Sequence, residues 1–221
     1  MTHEDALDVP ALADVLVHMC DAMSASIEQL THADQAVGDG DHGLAIERGF
    51  RAARQAVSAR PLGDDVGSLL DRVGLAMLTS MGGASGAIYG TLFRRGGKEL
   101  RGQARFDAPA LATFLWAGLI GVRERGGASA GDKTLVDALQ PAAEAARAAE
   151  SRGLAGAINA AASAAEAGAE RTRGMRATLG KARTLGDRAI EHIDPGALSF
   201  AIMLRAWASQ VAAASGAGGS R

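Results

Sequence analysis

Val66-Gly-Ser-Leu-Leu-Asp-Arg-Val73-Gly-Leu-Ala-Met77-Leu-Thr-Ser80-Met-Gly-Gly-Ala-Ser-Gly86 holds the pattern on which the fold turns. Val66, Leu69, Leu70, Val73 and Met77 recur at three- and four-residue steps, the period of a helix with one buried face. The pattern stops at the glycines and apolar residues resume at Ile88-Tyr89-Gly90-Thr91-Leu92-Phe93. Helix, glycine joint, helix is therefore the unit to look for elsewhere.

The same reading gives about eight helical segments and no strand, since β-branched runs bounded by turns are missing while Ala, Leu, Arg, Glu and Gln dominate. The first runs from Asp8, with Pro10 as its first helical residue, to Leu30; the second from His42 to Ser58; the third from Asp64 to Ser80. The fourth spans Ala84 to Leu100 and the fifth follows Asp107-Ala-Pro109 to Glu124. The sixth covers Thr134 to Ala149, with Pro141 bending it or marking its first turn. The seventh, alanine-rich, runs from Leu154 to Thr178, and the last opens at Asp194-Pro195-Gly196. Helices of this length, about 24–30 Å each, suit one antiparallel bundle, an all-α domain over residues 1–214. The Gly/Ser stretch 215–221 is expected to be a disordered tail. Glycines gather at four joints: 38, 40 and 43; 82, 83 and 86; 126, 127 and 131; 180 and 186. If neighbouring helices are antiparallel, these alternate joints fall at one end, which is where a site is expected.

Composition narrows the class. The 221 residues are 48% hydrophobic, enough to bury a core, and 23 Lys+Arg against 25 Asp+Glu leave a charge of −2. That balance argues against nucleic-acid binding. The one cysteine, Cys20, cannot close an internal disulfide or build a cysteine-rich zinc site. Met1-Thr-His-Glu-Asp5 lacks the marks of a secretory signal. The longest nearly apolar run, Leu111 to Val122, is well short of the ~20 residues that span a bilayer. A cytoplasmic protein without membrane association is expected.

Asp34-Gln-Ala-Val-Gly-Asp39-Gly-Asp41-His42-Gly43 places three carboxylates five and two residues apart, with Gly38 and Gly40 preventing a continuous helix. Oxygen ligands on a tight turn suit a hard cation such as Mg²⁺. An EF-hand is excluded, because the positions where its Glu would fall are Ala45, Phe50 and Ala52. An ordinary polar turn with Asp41 capping the next helix is the plainer alternative. Met81-Gly82-Gly83-Ala84-Ser85-Gly86 leads glycine-rich backbone into a helix N-terminus, a cradle for phosphate. It is not a Walker A loop, and close helix packing would explain the glycines equally simply. Arg171, Arg173, Arg176, Lys181, Arg183 and Arg188 face few acids and suit anion recognition, or a solvated face. His3 and His18 lack catalytic companions, Trp116 and Trp207 sit at core-like positions, and Cys20 reads as packing.

Gly38-Asp-Gly-Asp-His-Gly43, Gly82-Gly-Ala-Ser-Gly86, Gly131-Asp-Lys-Thr134, Gly180-Lys-Ala-Arg-Thr-Leu-Gly186 and His192-Ile-Asp-Pro-Gly196 together resemble the nucleotide-binding L subunits of dihydroxyacetone kinases, in order and approximate spacing. The resemblance covers nearly the whole chain. It implies a closed barrel of eight antiparallel helices holding ADP or ATP and two Mg²⁺ ions at one end. Asp34, Asp39 and Asp41 then correspond to the metal ligands, and His42, Gly43, Leu44 and Ala45 to phosphate-side contacts. Gly83, Ala84 and Ser85 match the phosphate-binding helix start, and Gly126 and Leu135 the adenine pocket. Lys181, Arg183 and Asp194-Pro195-Gly196 match the closing side. Two positions depart from the family's pattern: Ala45 stands where Asn is common, and Lys181 where Arg is common. A point charge replaces a guanidinium fork at the second, unless Arg183 compensates. Three carboxylates and a diphosphate of about −3 would be offset by two Mg²⁺ and the basic closing loop.

By the same resemblance the chain is half an enzyme. A separate ketose-binding kinase subunit would hold dihydroxyacetone or a related short ketose. Divided members keep ADP bound as a carrier that a phosphocarrier protein of the phosphotransferase system rephosphorylates, and a 221-residue chain opening on Met1 is expected to be of that type. Exchangeable ATP as donor, a nucleotide-loaded regulatory module, and a bundle without ligand are the competing expectations. A second copy of the chain is a further candidate partner.

Overall fold

A computed structural model describes residues 6–59 and 65–217. Among these are nine α-helices: α1 (Val9–Ala25), α2 (Ile27–Gln35), α3 (His42–Ser58), α4 (Val66–Ser80), α5 (Gly83–Glu99), α6 (Ala108–Gly126), α7 (Val136–Ala148), α8 (Gly153–Arg171) and α9 (Pro195–Ala217). Several begin where the sequence supplies an acceptor for otherwise unpaired amides. Asp8 accepts from Ala11 N, Asp65 from Ser68 N and Asp107 from Ala110 N, with prolines in the first turns of α1 and α6. α6 ends on Gly127, whose φ of 67° lets its N–H turn back to the Arg123 carbonyl.

α1, α3, α4, α5, α6, α7, α8 and α9 each pack on the next, and α9 returns to α1. Close approach is set by glycine. A Cβ on Gly67 would stand 2.4 Å from the Gly97 carbonyl oxygen and one on Gly74 2.8 Å from Arg94 N, so α4 and α5 run antiparallel, nearly backbone to backbone. Gly96 against Phe114 and Gly118 against Leu92 repeat this between α5 and α6. The core inside contains Phe50, Tyr89, Phe93, Phe106, Phe114 and Trp207, with Trp207 stacked on Phe106 at 5.5 Å.

Several expectations need correction. The first segment is two helices, α1 and α2, parted at Ser26, whose φ and ψ of −98° and 6° leave the helical region. A short antiparallel pair, β1 (Leu7–Asp8) with β2 (Arg105–Phe106), joins the starts of α1 and α6 where no strand was expected. The seventh segment stops as α-helix at Arg171 rather than Thr178. α9 continues through Ser215 to Ala217, and residues 218–221 of the expected tail lie outside the described residues, as do His3 and the rest of 1–5. Trp116 is only half-buried, with the Arg147 guanidinium 4.6 Å above its ring. Pro141 lies inside α7 rather than at its start, and the Asp137 carbonyl it leaves without a helical donor faces Gly168 of α8.

Candidate nucleotide and metal site

All four glycine joints contribute to one cavity of about 440 Å³, reached by Asp34, Asp41 and His42 from the first, Gly82 to Ser85 from the second, Gly126 and Lys133 to Val136 from the third, and Leu179 to Ala182 with Asp194 to Gly196 from the fourth.

Its acidic wall is the turn between α2 and α3. Asp34 is buried; its carbonyl accepts from Gly38 N at 2.6 Å, and a Cβ on Gly38 would lie 2.3 Å from Asp34 Oδ1. Gly40 then takes a left-handed φ of 79°. Asp34 Oδ2 accepts from His42 N at 3.1 Å, so the first turn of α3 is capped from eight residues upstream. Asp41, at the N-cap position, makes no side-chain capping bond. The plainer reading of Asp41 as a cap is thereby removed, and its carboxylate turns to Lys181 instead. Carboxylate oxygens of Asp34, Asp39 and Asp41 lie within 4.8 Å of one another. Like charges this close repel unless a positive charge lies beside them or one acid is protonated. Lys181 Nζ stands 2.5 Å from Asp39 Oδ1 and 3.1 Å from Asp41 Oδ1, which holds the Asp39 carboxyl below the usual range and the lysine above its own. An all-oxygen set on a glycine turn fits a hard divalent ion such as Mg²⁺.

The start of α5 also lines the cavity. Gly82 has φ 75° and Gly83 φ 57°; a Cβ on Gly83 would meet nothing within 4 Å. These glycines serve backbone conformation, not close packing, unlike those farther along α4, α5 and α6. No side chain caps this helix and no acid sits in its first turn, so its positive end opens on the cavity. His42 ties the walls together, its Nδ1 3.2 Å from Ser85 Oγ and its Nε2 3.0 Å from Ser199 Oγ, while Tyr89 Oη lies 2.8 Å from the same Ser199 oxygen. Burial pushes the His42 pKa down, favouring the neutral ring.

Ile88, Val122, Ala128, Leu135 and Leu179 give the cavity an apolar lining able to take a heterocycle. The loop before α7 contributes to it, and there the Asp137 carboxylate accepts from Gly131 N at 2.5 Å and Thr134 N at 2.8 Å. Lys181 and Ala182 of the lining open a pair of 3₁₀ turns, Lys181–Ala189, parted at Gly186, whose Ala182 and Ala189 cluster with Val37 and Ala177 apart from the main core.

Of the residues singled out from the sequence, Asp34, Asp41, His42, Ala45, Gly83, Ala84, Ser85, Gly126, Leu135, Lys181, Asp194, Pro195 and Gly196 line the cavity, and Asp39 joins through the carboxylate cluster. Three do not. Gly43 packs under α2, where a Cβ would lie 2.6 Å from the Ile27 carbonyl oxygen; Leu44 is exposed; and Arg183 is exposed away from the lining. In the basic cluster, Arg173 pairs with Glu170 and Arg176 with Asp187. Sequence reading gave no role to Ser199, Tyr89, Lys133 or Asp137, although Lys133 stands in the Gly131-Asp-Lys-Thr134 motif and Thr134-x-x-Asp137 is a local spacing beside a turn. Cys20 is buried in packing, its thiol pushed up to about 12.

The family model described as the DAK2 domain matches residues 36–209. The ADP-binding subunit DhaL of the PEP-dependent dihydroxyacetone kinase of Escherichia coli (strain K12) is 38% identical over 188 residues, covering 84% of this chain and 89% of that subunit. The corresponding kinase 1 subunit of Listeria innocua is 34% identical over 177 residues, 80% of this chain and 84% of that one. The crystal structure of the dihydroxyacetone kinase of C. freundii in complex with AMP-PNP and Mg²⁺ superposes with a TM-score of 0.69 at 30% identity, covering 89% of this chain and 33% of that longer one. With a family model spanning residues 36–209 and a relative 38% identical across 84% of its length, this chain belongs to the DAK2-domain family.

Proposed function

We propose that this chain is the nucleotide-holding subunit of a kinase for dihydroxyacetone or a related short ketose, which a separate subunit binds. The observation that carries this is the placement of three clustered carboxylates and an uncapped helix N-terminus at one cavity that also has an apolar lining. Asp34, Asp39 and Asp41 would hold Mg²⁺, two ions in this reading, and the start of α5 at Gly83, Ala84 and Ser85 would receive phosphate oxygens. Leu135 and Gly126 would flank the base, with Lys181 and Asp194-Pro195-Gly196 on the closing side. When bound, Mg²⁺ offsets phosphate charge and polarises the phosphoryl oxygens. The chain itself needs no covalent chemistry, because phosphoryl transfer is governed by positioning and charge. Neutral His42 keeps two helix starts in register, and Lys181 brings a positive charge to the acidic wall. A cytoplasmic site of action goes with this reading.

We further propose that ADP stays bound as a carrier and is rephosphorylated in place by a phosphocarrier protein. Three PEP-dependent relatives, similar over 80 to 84% of this chain, support that choice. The AMP-PNP complex of the C. freundii enzyme favours the second reading, exchangeable ATP. Reconstitution with a ketose-binding subunit and free ATP separates them. One turnover that stalls on bound ADP is the expected result; sustained turnover without a phosphocarrier would overturn the carrier, and no turnover with either donor would overturn the kinase.

A further inference from the structure

Lys133 has an unusual setting for a lysine. It is 1% exposed and takes a left-handed φ of 62°, a conformation that costs energy outside glycine. Its ammonium donates to the Thr172 carbonyl at 2.6 Å and to the His192 carbonyl at 2.6 Å, drawing together segments 39 and 59 residues away. Both leads run to the same place. Thr172 Oγ1 accepts from Asp194 N at 2.8 Å, and Asp194 Oδ2 caps α9 by accepting from Ala197 N at 2.7 Å. Asp194, Pro195 and Gly196, the residues so held, line the cavity.

We propose that Lys133 is a positioning residue that sets the Asp194-Pro195-Gly196 wall of the nucleotide cavity by gathering the Thr172 and His192 carbonyls onto one buried charge. The nucleotide part rests on the site reading above. Packing alone does not explain the residue. An apolar side chain would fill the volume without the cost of burying an ammonium, but it could not orient two carbonyls. The strained backbone is fixed from both sides, since Asp137 grips Gly131 N and Thr134 N around it. The charge is thus presented from a rigid loop to the otherwise irregular entry into α9. Without it the His192 carbonyl loses the ammonium and the Thr172 carbonyl keeps only Met175 N at 3.1 Å, so the entry into α9 gains freedom and the cavity wall no longer has one position.

The test is Lys133→Met in the full chain, read by amide hydrogen exchange without ligand and by calorimetric titration of ADP with Mg²⁺. Exchange at Asp194 and Ala197 should quicken by about tenfold or more while Leu69 and Val73 in α4 keep their rates, and the ADP dissociation constant should rise by about tenfold. Lys133→Arg, which keeps charge and donors, should recover part of that affinity. Val73→Ala, a core truncation away from the cavity, serves as the destabilised control. Unchanged exchange at Asp194 and Ala197, a rise spread over the molecule as in Val73→Ala, or a local rise with unaltered ADP affinity would each overturn the proposal. If Lys133→Met does not fold, Lys133→Gln is read in the same way. Failure of the unaltered protein to bind ADP would defeat the nucleotide reading instead, and the exchange pattern would still decide whether Lys133 holds the segment.

Discussion

Asp41 stands at the N-terminus of α3 yet turns its carboxylate to Lys181, because Asp34 has already taken the bond to His42 N. That division of labour follows from three acids within eight residues, so it was legible as a cluster; which acid caps and which does not was hidden, since it depends on how Gly38 and Gly40 fold the turn. His42 shows the limit more sharply. Its partners Ser85 and Ser199 lie 43 and 157 residues away, and nothing local announces them. Asp194 gives a prediction at this scale. Burial in the cavity wall raises its pKa from 3.8 to about 7 despite the Ala197 amide and the Lys133 charge. The fold therefore prefers the protonated acid. Its contribution is fully present below pH 3.8 and is lost as the pH rises through about 7, on the order of 4 kcal/mol at most. Urea denaturation in EDTA should show the stability of the unaltered protein, minus that of Asp194→Asn, falling between pH 4 and 7 and level above about 8. A flat difference would contradict the assignment.

At the level of elements, glycine does two unlike jobs that look the same in the sequence. Gly67 and Gly74 let α4 and α5 touch backbone to backbone, whereas Gly82 and Gly83 let the chain turn into α5 with open space around them. Gly67→Ala should cost about 3 kcal/mol or more, because its neighbours are the Gly97 carbonyl and Arg101 N, which cannot move aside. Gly83→Ala meets no atom and should cost about 1 kcal/mol from its left-handed backbone alone. Chemical denaturation of the two variants checks the contrast, and equal costs would refute it. The helices themselves were legible because their apolar period is unbroken and their starts carry Asp and Pro. The break at Ser26 was not. No proline or glycine marks it, and the Ser26 hydroxyl bonding back to the Ala22 carbonyl is a local choice any serine could make.

Across the whole molecule, the ring of helices brings alternate joints to one end, and there the carboxylate turn, the α5 N-terminus, the loop before α7 and the entry to α9 meet. The 3₁₀ turns between Lys181 and Ala189 share a small apolar cluster with Val37 of the carboxylate turn, separate from the main core. The central claim is that this end holds a nucleotide diphosphate through metal-bound carboxylates. Calorimetric titration of ADP into the unaltered protein, Asp39→Asn and Asp41→Asn, each with Mg²⁺ and with EDTA, tests it most directly. The account predicts binding by the unaltered protein with Mg²⁺, weakened by at least about tenfold in EDTA and in each variant, with the urea midpoint little changed because both acids are exposed. Undiminished ADP affinity in EDTA, or in both variants, would contradict it.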